Sequence, residues 1–464
     1  MVAFRTVIRR GIACCLMACV LVLSGPGVGP GAAQAETRLS LDEARDVAGR
    51  LLQMGRPREA LMLAEGVLQG APGDVPALVL KSRALRDLGR FKDARKAAAA
   101  ARAAAENDKD RFFAALVTAQ ARASDGDKGI AQYWLRYAAQ VAPDDDLRAV
   151  AVRDFRFVRK TTPWRLKASV FAEPSDNLNG APKTNEFTFA GLTFENPAAV
   201  PLSGMRYGAD VQFTYRIPLS QRSRVNLGAF GGIERVQFST SAKAKVPTIR
   251  NEDYSRDRLG LSLGYERMGD GGDWLAKGEV AVARYWAGGM PSSDAVMVNA
   301  AYQRKLLGRW QGGLRLGYED ETRHDLATRS STTRSIGASL SHPFAMGALT
   351  LDLEQSDTRS QSRLVARETA RATLGYQMGK PVLGMLPRLS LSYEDVRFDQ
   401  SPFGFWVDPR EDKEWAMSVD VLLPKVDYFG FAPEIGLSFR DRSSNYSLYE
   451  TQSTDLRLGL KSVF

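Results

Sequence analysis

Two histidines, His324 and His342, and three cysteines, Cys14, Cys15 and Cys19, are the whole imidazole and thiol content of the 464 residues. Acid–base or nucleophilic chemistry would therefore be built around His324, which has Asp320 and Asp325 beside it and Ser330 close behind. A serine, a base and an orienting carboxylate are the parts of a hydrolase, but only when one structure holds them together. Polar loops are routinely rich in these residue types, so an enzyme is not expected. His342, next to Pro343, reads as an interfacial residue. No glycine-rich phosphate loop or paired-carboxylate spacing stands out. A His-rich metal set is not expected from two histidines, and no cofactor is implied.

Residues 1–35 read as a secretory leader. Arg5, Arg9 and Arg10 are basic, residues 12–23 are apolar, and Ala33-Gln34-Ala35 is a small-residue cleavage site. The apolar run is shorter than the about 20 residues of a spanning helix. Leu16-Met17-Ala18-Cys19 has lipobox-like spacing, yet the apolar run continues through Leu23 and places Cys19 inside it. Removal of the leader takes every thiol with it, excluding disulfide and thiolate chemistry. It also lowers the formal charge from +10 to +7. Those charges are mixed in sign and spread out, so no nucleic-acid partner is implied.

Residues 36–160 are alanine-rich and helical by pattern. Gly55 and Gly89 are 34 residues apart, as are Ala60 and Ala94, which is the tetratricopeptide period. A looser third copy runs through Gly126, Ala131 and Tyr133, and Pro72 and Pro143 mark ends of second helices. Glycine turns the chain between paired helices, and alanine lets the second helix lie close to the first. Such an array usually binds an extended peptide or a partner protein on its concave face.

Thr161-Thr162-Pro163 breaks the helical pattern, and from Trp164 the period becomes two. Tyr207, Ala209, Val211, Phe213 and Tyr215 alternate with polar neighbours, as do Leu259, Leu261 and Leu263. Fourteen strands are predicted, beginning near residues 164, 205, 222, 254, 273, 295, 309, 329, 346, 363, 386, 411, 428 and 451. Short turns alternate with longer polar links, of which the longest is 173–204, as in a transmembrane barrel. Tyr215, Tyr265, Tyr302, Tyr376, Trp274 and Trp310 sit where an aromatic girdle belongs. A soluble sandwich would need turns every 8 to 12 residues. The inward face is charged, including Lys277, Glu279, Asp352, Arg371, Asp420 and Lys461, so the lumen should hold water unless segment 173–204 plugs or gates it. The last strand places Leu456, Leu458, Leu460 and Phe464 on one face and ends on the aromatic. Leu458, Leu460 and Phe464 are the candidate barrel-assembly signal, with Ser462 standing where an apolar residue is usual.

Two stretches add a resemblance. Residues 171–181 (FAEPSDNLNGA) are similar to a Pro-Asp-Ser-Asn-x-Asn segment after a first barrel strand, with Ser and Asp exchanged. Residues 428–433 (YFGFAP) and 440–449 (RDRSSNYSLY), followed by the closing strand, form the second. With the leader, the repeats and fourteen strands, the chain resembles the surface lipoprotein assembly modulator (Slam) family. That resemblance implies a translocon for lipoproteins or secreted protein clients, without catalytic residues. Asn177 and Asn179 become gating or structural positions, because asparagine readily stabilises turns.

The expected chain is thus a leader (1–35), a periplasmic all-α tetratricopeptide-like region (36–160) and a fourteen-stranded antiparallel outer-membrane barrel (161–464). Its expected partners are a client lipoprotein or secreted protein, a periplasmic chaperone, the barrel-insertion machinery and outer-membrane lipid. A porin-like passive channel with a periplasmic protein-binding region is the alternative function. An outer-membrane hydrolase comes third.

Overall fold

Small residues at repeat spacing shape the first part of the structure, a computed structural model that describes residues 39–189, 192–196, 199–402 and 408–463. Residues 1–38, which include the expected leader, and Phe464 lie outside the described residues. Seven helices follow one another: α1 (Leu41–Gln53), α2 (Pro57–Gly70), α3 (Val75–Asp87), α4 (Phe91–Ala104), α5 (Asp108–Ser124), α6 (Lys128–Val141) and α7 (Asp145–Thr161). Ser40 and Glu43 cap α1 reciprocally, and Asp74, Asn107 and Asp144 each accept an amide at the start of α3, α5 and α7. Gly55, Gly89 and Gly126 follow α1, α3 and α5 at φ of +72°, +76° and +96°, the left-handed region where a side chain is unfavourable. Ala60, Ala94 and Ala131 are fully buried at the facing positions of α2, α4 and α6. The third copy is looser because α5 has 17 residues where α1 and α3 have 13.

The strands are β1 (Trp164–Ser175), β2 (Glu186–Phe189), β3 (Leu192–Glu195), β4 (Gly204–Pro218), β5 (Ser223–Phe238), β6 (Arg256–Met268), β7 (Trp274–Ala287) and β8 (Met290–Lys305). They continue as β9 (Gln311–Arg323), β10 (Ser331–Pro343), β11 (Gly347–Ser360), β12 (Arg367–Met378), β13 (Leu386–Phe398), β14 (Glu411–Leu422), β15 (Phe431–Ser444) and β16 (Thr451–Ser462). All except the β2–β3 hairpin form one closed antiparallel barrel of fourteen strands. No described helix is long and apolar enough to cross a membrane. Leu259, Leu261 and Leu263, and likewise Leu456, Leu458 and Leu460, stand exposed on the outer wall as part of its lipid-facing band. Trp274 stacks on Tyr302 at 6.0 Å, and His342 lies 4.6 Å from both Trp310 and Phe344, at the periplasmic rim.

Three strand starts differ from expectation by three residues or more, β15 among them, which begins at Phe431 rather than near 428. β8 begins at Met290 rather than near 295, after a tight turn in which Gly288 and Gly289 take φ of +59° and +79°. Its first residues, including Ser292 and Ser293, extend beyond the apolar band, where alternation no longer marks a strand. β12 begins at Arg367 rather than near 363, because residues 361–366 turn instead.

Candidate functional site

The loop that follows β1 is built on its asparagines. Asn177 is 7 % exposed. Its Oδ1 accepts the Ala181 amide at 2.8 Å, while Nδ2 donates to Ala181 O at 2.8 Å and Gln452 O at 3.1 Å. Asn179 Nδ2 donates to Val200 O at 3.0 Å, and its Oδ1 accepts the Leu202 amide at 2.9 Å. The first asparagine therefore ties the loop to β16, and the second joins the two ends of the loop. Asp176 Oδ1 accepts the Thr454 amide of β16 at 2.9 Å. Leu178 and Leu202 pack with Val236, Phe238 and Ala242 of the helix α8 (Thr240–Lys245) at the outer rim.

Inside the barrel, opposite charges meet between neighbouring strands or across one intervening strand. Arg258 donates to Asp210 at 2.6 Å, Arg315 to Asp352 at 2.8 Å, Arg442 to Glu414 at 2.7 Å and Lys461 to Glu434 at 3.1 Å. Arg440 holds the Asp455 carboxylate, 2 % exposed, at 2.8 Å. Pairing of this kind is what allows charge to line the wall at all. Two cavities, of about 730 and 630 Å³, share Glu319, Glu321 and Arg323 in the outer part of the lumen.

His324 is not assembled into a triad. Its Nε2 lies 3.1 Å from Asp294 Oδ2, and Arg284 forks onto the same carboxylate. Ser330 Oγ instead accepts the Arg323 amide at 3.0 Å, and Asp320 accepts from Thr332. Arg323 pairs with Asp325 and holds that carboxyl down at about 2. Among the described residues, no cluster of three or more His, Cys, Asp or Glu is placed to hold a metal.

The periplasmic side carries contacts that periodicity alone did not reveal. Helix α6 seats on the turn between β14 and β15. Gln140 accepts the Phe429 amide at 2.8 Å, and Arg136 donates to Phe429 O at 2.7 Å and to Ser462 Oγ at 2.9 Å. Phe429 has φ of +51°, a conformation that costs a bulky side chain about 1 kcal/mol or more. The helical region therefore holds both backbone groups of the most constrained residue in that turn. Arg148 pairs with Asp427 at 2.6 Å, and Tyr133 and Tyr137 each lie 6.1 Å from the Phe429 ring. Burial, reinforced by Arg159, lowers the Arg136 pKa to about 10, so it remains a cation at neutral pH. Ser462, out of place in the strand pattern, is thus a ligand for Arg136.

The same side offers a groove. Arg86, Gln120 and Asp154 recur every 34 residues and are joined in series, at 2.7 and 3.1 Å. They line a cavity of about 270 Å³ with Ala123, Leu135 and Phe157, the last 68 % exposed. The polar ladder keeps the repeat period, but its three residues differ in type, so the period shows only once the structure joins them.

A family model described as surface lipoprotein assembly modifier matches residues 235–464. From residue 235 on, the chain is thus similar to this family. A tetratricopeptide repeat model matches residues 51–118 of the same chain. Its barrel places it in the outer membrane, with the helical repeats in the periplasm. No curated protein matches the chain. Among solved structures, OccAB4 of Acinetobacter baumannii is 8 % identical, with 65 % of this chain and 98 % of that chain covered and a TM-score of 0.34. The outer membrane channel DcaP of Acinetobacter baumannii is 10 % identical, with 64 % and 96 % covered and a TM-score of 0.35. The type III secretion translocator chaperone SycD of Yersinia enterocolitica is 14 % identical, with 29 % and 95 % covered and a TM-score of 0.23. At such scores these likenesses add nothing to the fold described above.

Proposed function

We propose that this protein promotes assembly of lipoproteins, or of secreted protein clients, at the cell surface. The family match supports the lipoprotein role. The observation that carries the rest is the seating of α6 and α7 on the barrel, through Arg136 and Gln140 of the first and Arg148 of the second. A repeat array with a peptide-sized groove is held at the periplasmic mouth of an aqueous barrel, so a client bound there is already at the entrance. In this reading the chain divides into a leader (1–35), a client-receiving region (36–160) and a barrel (161–464). Asn177 and Asn179 fasten the first loop rather than contact the client. The last strand, with Leu458 and Leu460, guides insertion into the membrane. The protein acts without catalysis.

Removing residues 36–160 behind an intact leader tests this. The expected outcome is a heat-modifiable barrel in the membrane together with an at least tenfold loss of protease-accessible acylated protein at the cell surface. Unchanged surface display with persisting solute permeability would instead establish a passive channel, the reading that the two polar cavities favour.

A further inference from the structure

The barrel closes unevenly. β1 pairs with β4 along all twelve of its residues, from Trp164↔Tyr215 to Ser175↔Gly204. Against β16 it makes three pairs, Phe171↔Gly459, Ala172↔Leu458 and Ser175↔Asp455, all in the outer half. The described residues show no ladder between the β1 segment 164–170 and β16, although β16 pairs with β15 down to Ser462. Burial agrees, since Arg165 to Val170 are six consecutive exposed residues, on both faces of the strand.

The reason lies below the barrel. The end of β16 is drawn toward the helical region: Ser462 accepts from Arg136, and Val463 packs against the cluster containing Phe112, Leu135 and Phe155. β1 is held to the other side, with the Trp164 ring against Gly129 of α6 and the Arg216 guanidinium donating to Thr162 O at 2.9 Å. The helical repeats thus straddle the junction while its inner half stays unzipped.

Resting on the export role above, we propose that the inner edge of β1 receives an extended segment of the exported protein as an added strand. An unpaired strand edge offers a row of amides and carbonyls that another strand satisfies and lipid cannot. The occupant is an alternating apolar and acidic segment. Leu166, Ala168 and Val170 present an apolar lipid side, whereas Arg165 and Lys167 on the lumen side continue into Arg216 of β4 and Arg159 of α7. Burial and the charges of Arg165 and Arg216 lower the Arg159 pKa, as expected where cations lie close together. A second copy of the same edge would bring like charges together.

The test uses the full chain in phosphatidylcholine–phosphatidylglycerol vesicles, with Ser169→Cys as the only thiol of the leaderless protein. The probe is a ten-residue peptide alternating Val and Glu and ending in an activated cysteine. Mixed-disulfide formation is expected at least about tenfold faster than at Ser339→Cys, a lumen-facing position whose strand is paired on both edges. A Val–Lys peptide should react several-fold more slowly than the Val–Glu peptide. Equal rates at the two positions, or for the two peptides, would overturn the proposal. Ala168→Cys replaces Ser169→Cys if the latter does not yield a heat-modifiable barrel. Peptide capture is read without any export, so its failure is distinct from unchanged surface display after removal of residues 36–160.

Discussion

Replacing Arg148 with Ala should loosen the seat between the repeats and the barrel by an amount the geometry sets. The Asp427 side chain is 6 % exposed and accepts from Arg148 at 2.6 Å and from the Gly430 amide at 3.0 Å. Breaking a buried pair costs about 3–5 kcal/mol and an exposed one about 0–1 kcal/mol. Arg148 is 31 % exposed, so the loss should fall between, at about 2 kcal/mol. At about 1.4 kcal/mol per tenfold, that opens the contact about 30-fold more often. Hydrogen exchange reads this directly, because the Phe429 amide is protected by Gln140 and the Gly430 amide by Asp427. Both amides should exchange about 30-fold faster in Arg148→Ala, while amides within β9 and β10 keep their protection. Asp427→Asn, which retains an acceptor, should cost less, and the double variant should fall well short of the sum. Exchange at Phe429 and Gly430 within twofold of the unaltered protein would refute the reasoning.

Gly89→Ala should destabilise the helical region by about 1 kcal/mol, because φ is +76° while the space for a Cβ is open. Gly66→Ala, inside α2 with equally open space, should stabilise it by about 0.5–1 kcal/mol; thermal unfolding followed by circular dichroism distinguishes the two. Asn177→Ala removes three hydrogen bonds from a buried position, at a cost of about 1–3 kcal/mol, and should speed protease cleavage within segment 176–203 at least tenfold. Asp325 should titrate at about 2 while Arg323 is present, and Arg323→Gln should return it toward the ordinary carboxylate range, as carboxyl carbon NMR would show. Because the folded value is depressed, the pair supports its loop above about pH 4 and loses that support as pH falls toward 2.

The barrel was legible because lipid imposes a strict rule: every membrane-facing position must be apolar, and strand geometry turns that rule into alternation. Where the wall leaves the membrane the rule lapses, which is why Met290 to Asp294 escaped notice as strand and the β2–β3 hairpin did not register. The repeats were legible through glycines that need positive φ and alanines with no room for more. The charged lumen was also expected, but not which charges meet. The seat of α6 and α7 could not be read in advance, since Arg136, Gln140 and Arg148 have no period that distinguishes them from other helix-surface residues. Only Ser462 hinted at it, as a polar residue in an apolar place. The incomplete β1–β16 junction was equally hidden, because both strands have ordinary alternation and the gap follows from where the helices hold their ends.

The bond between Arg136 and Ser462 also bears on the order in which the molecule is made. Helices emerge first from synthesis and bury their own core, so α6 can be complete before the final strand exists. When β16 arrives, its last residues find a finished surface that accepts only the correct register, because a slip of one residue would turn Ser462 away from Arg136. The first-made part of the chain would thus act as a gauge for the last-made part. Arg136→Ala should then leave the mature barrel folded but slow the closing step, raising the share of half-assembled chains recovered during a pulse–chase. An unchanged share would show that β15 alone sets the register.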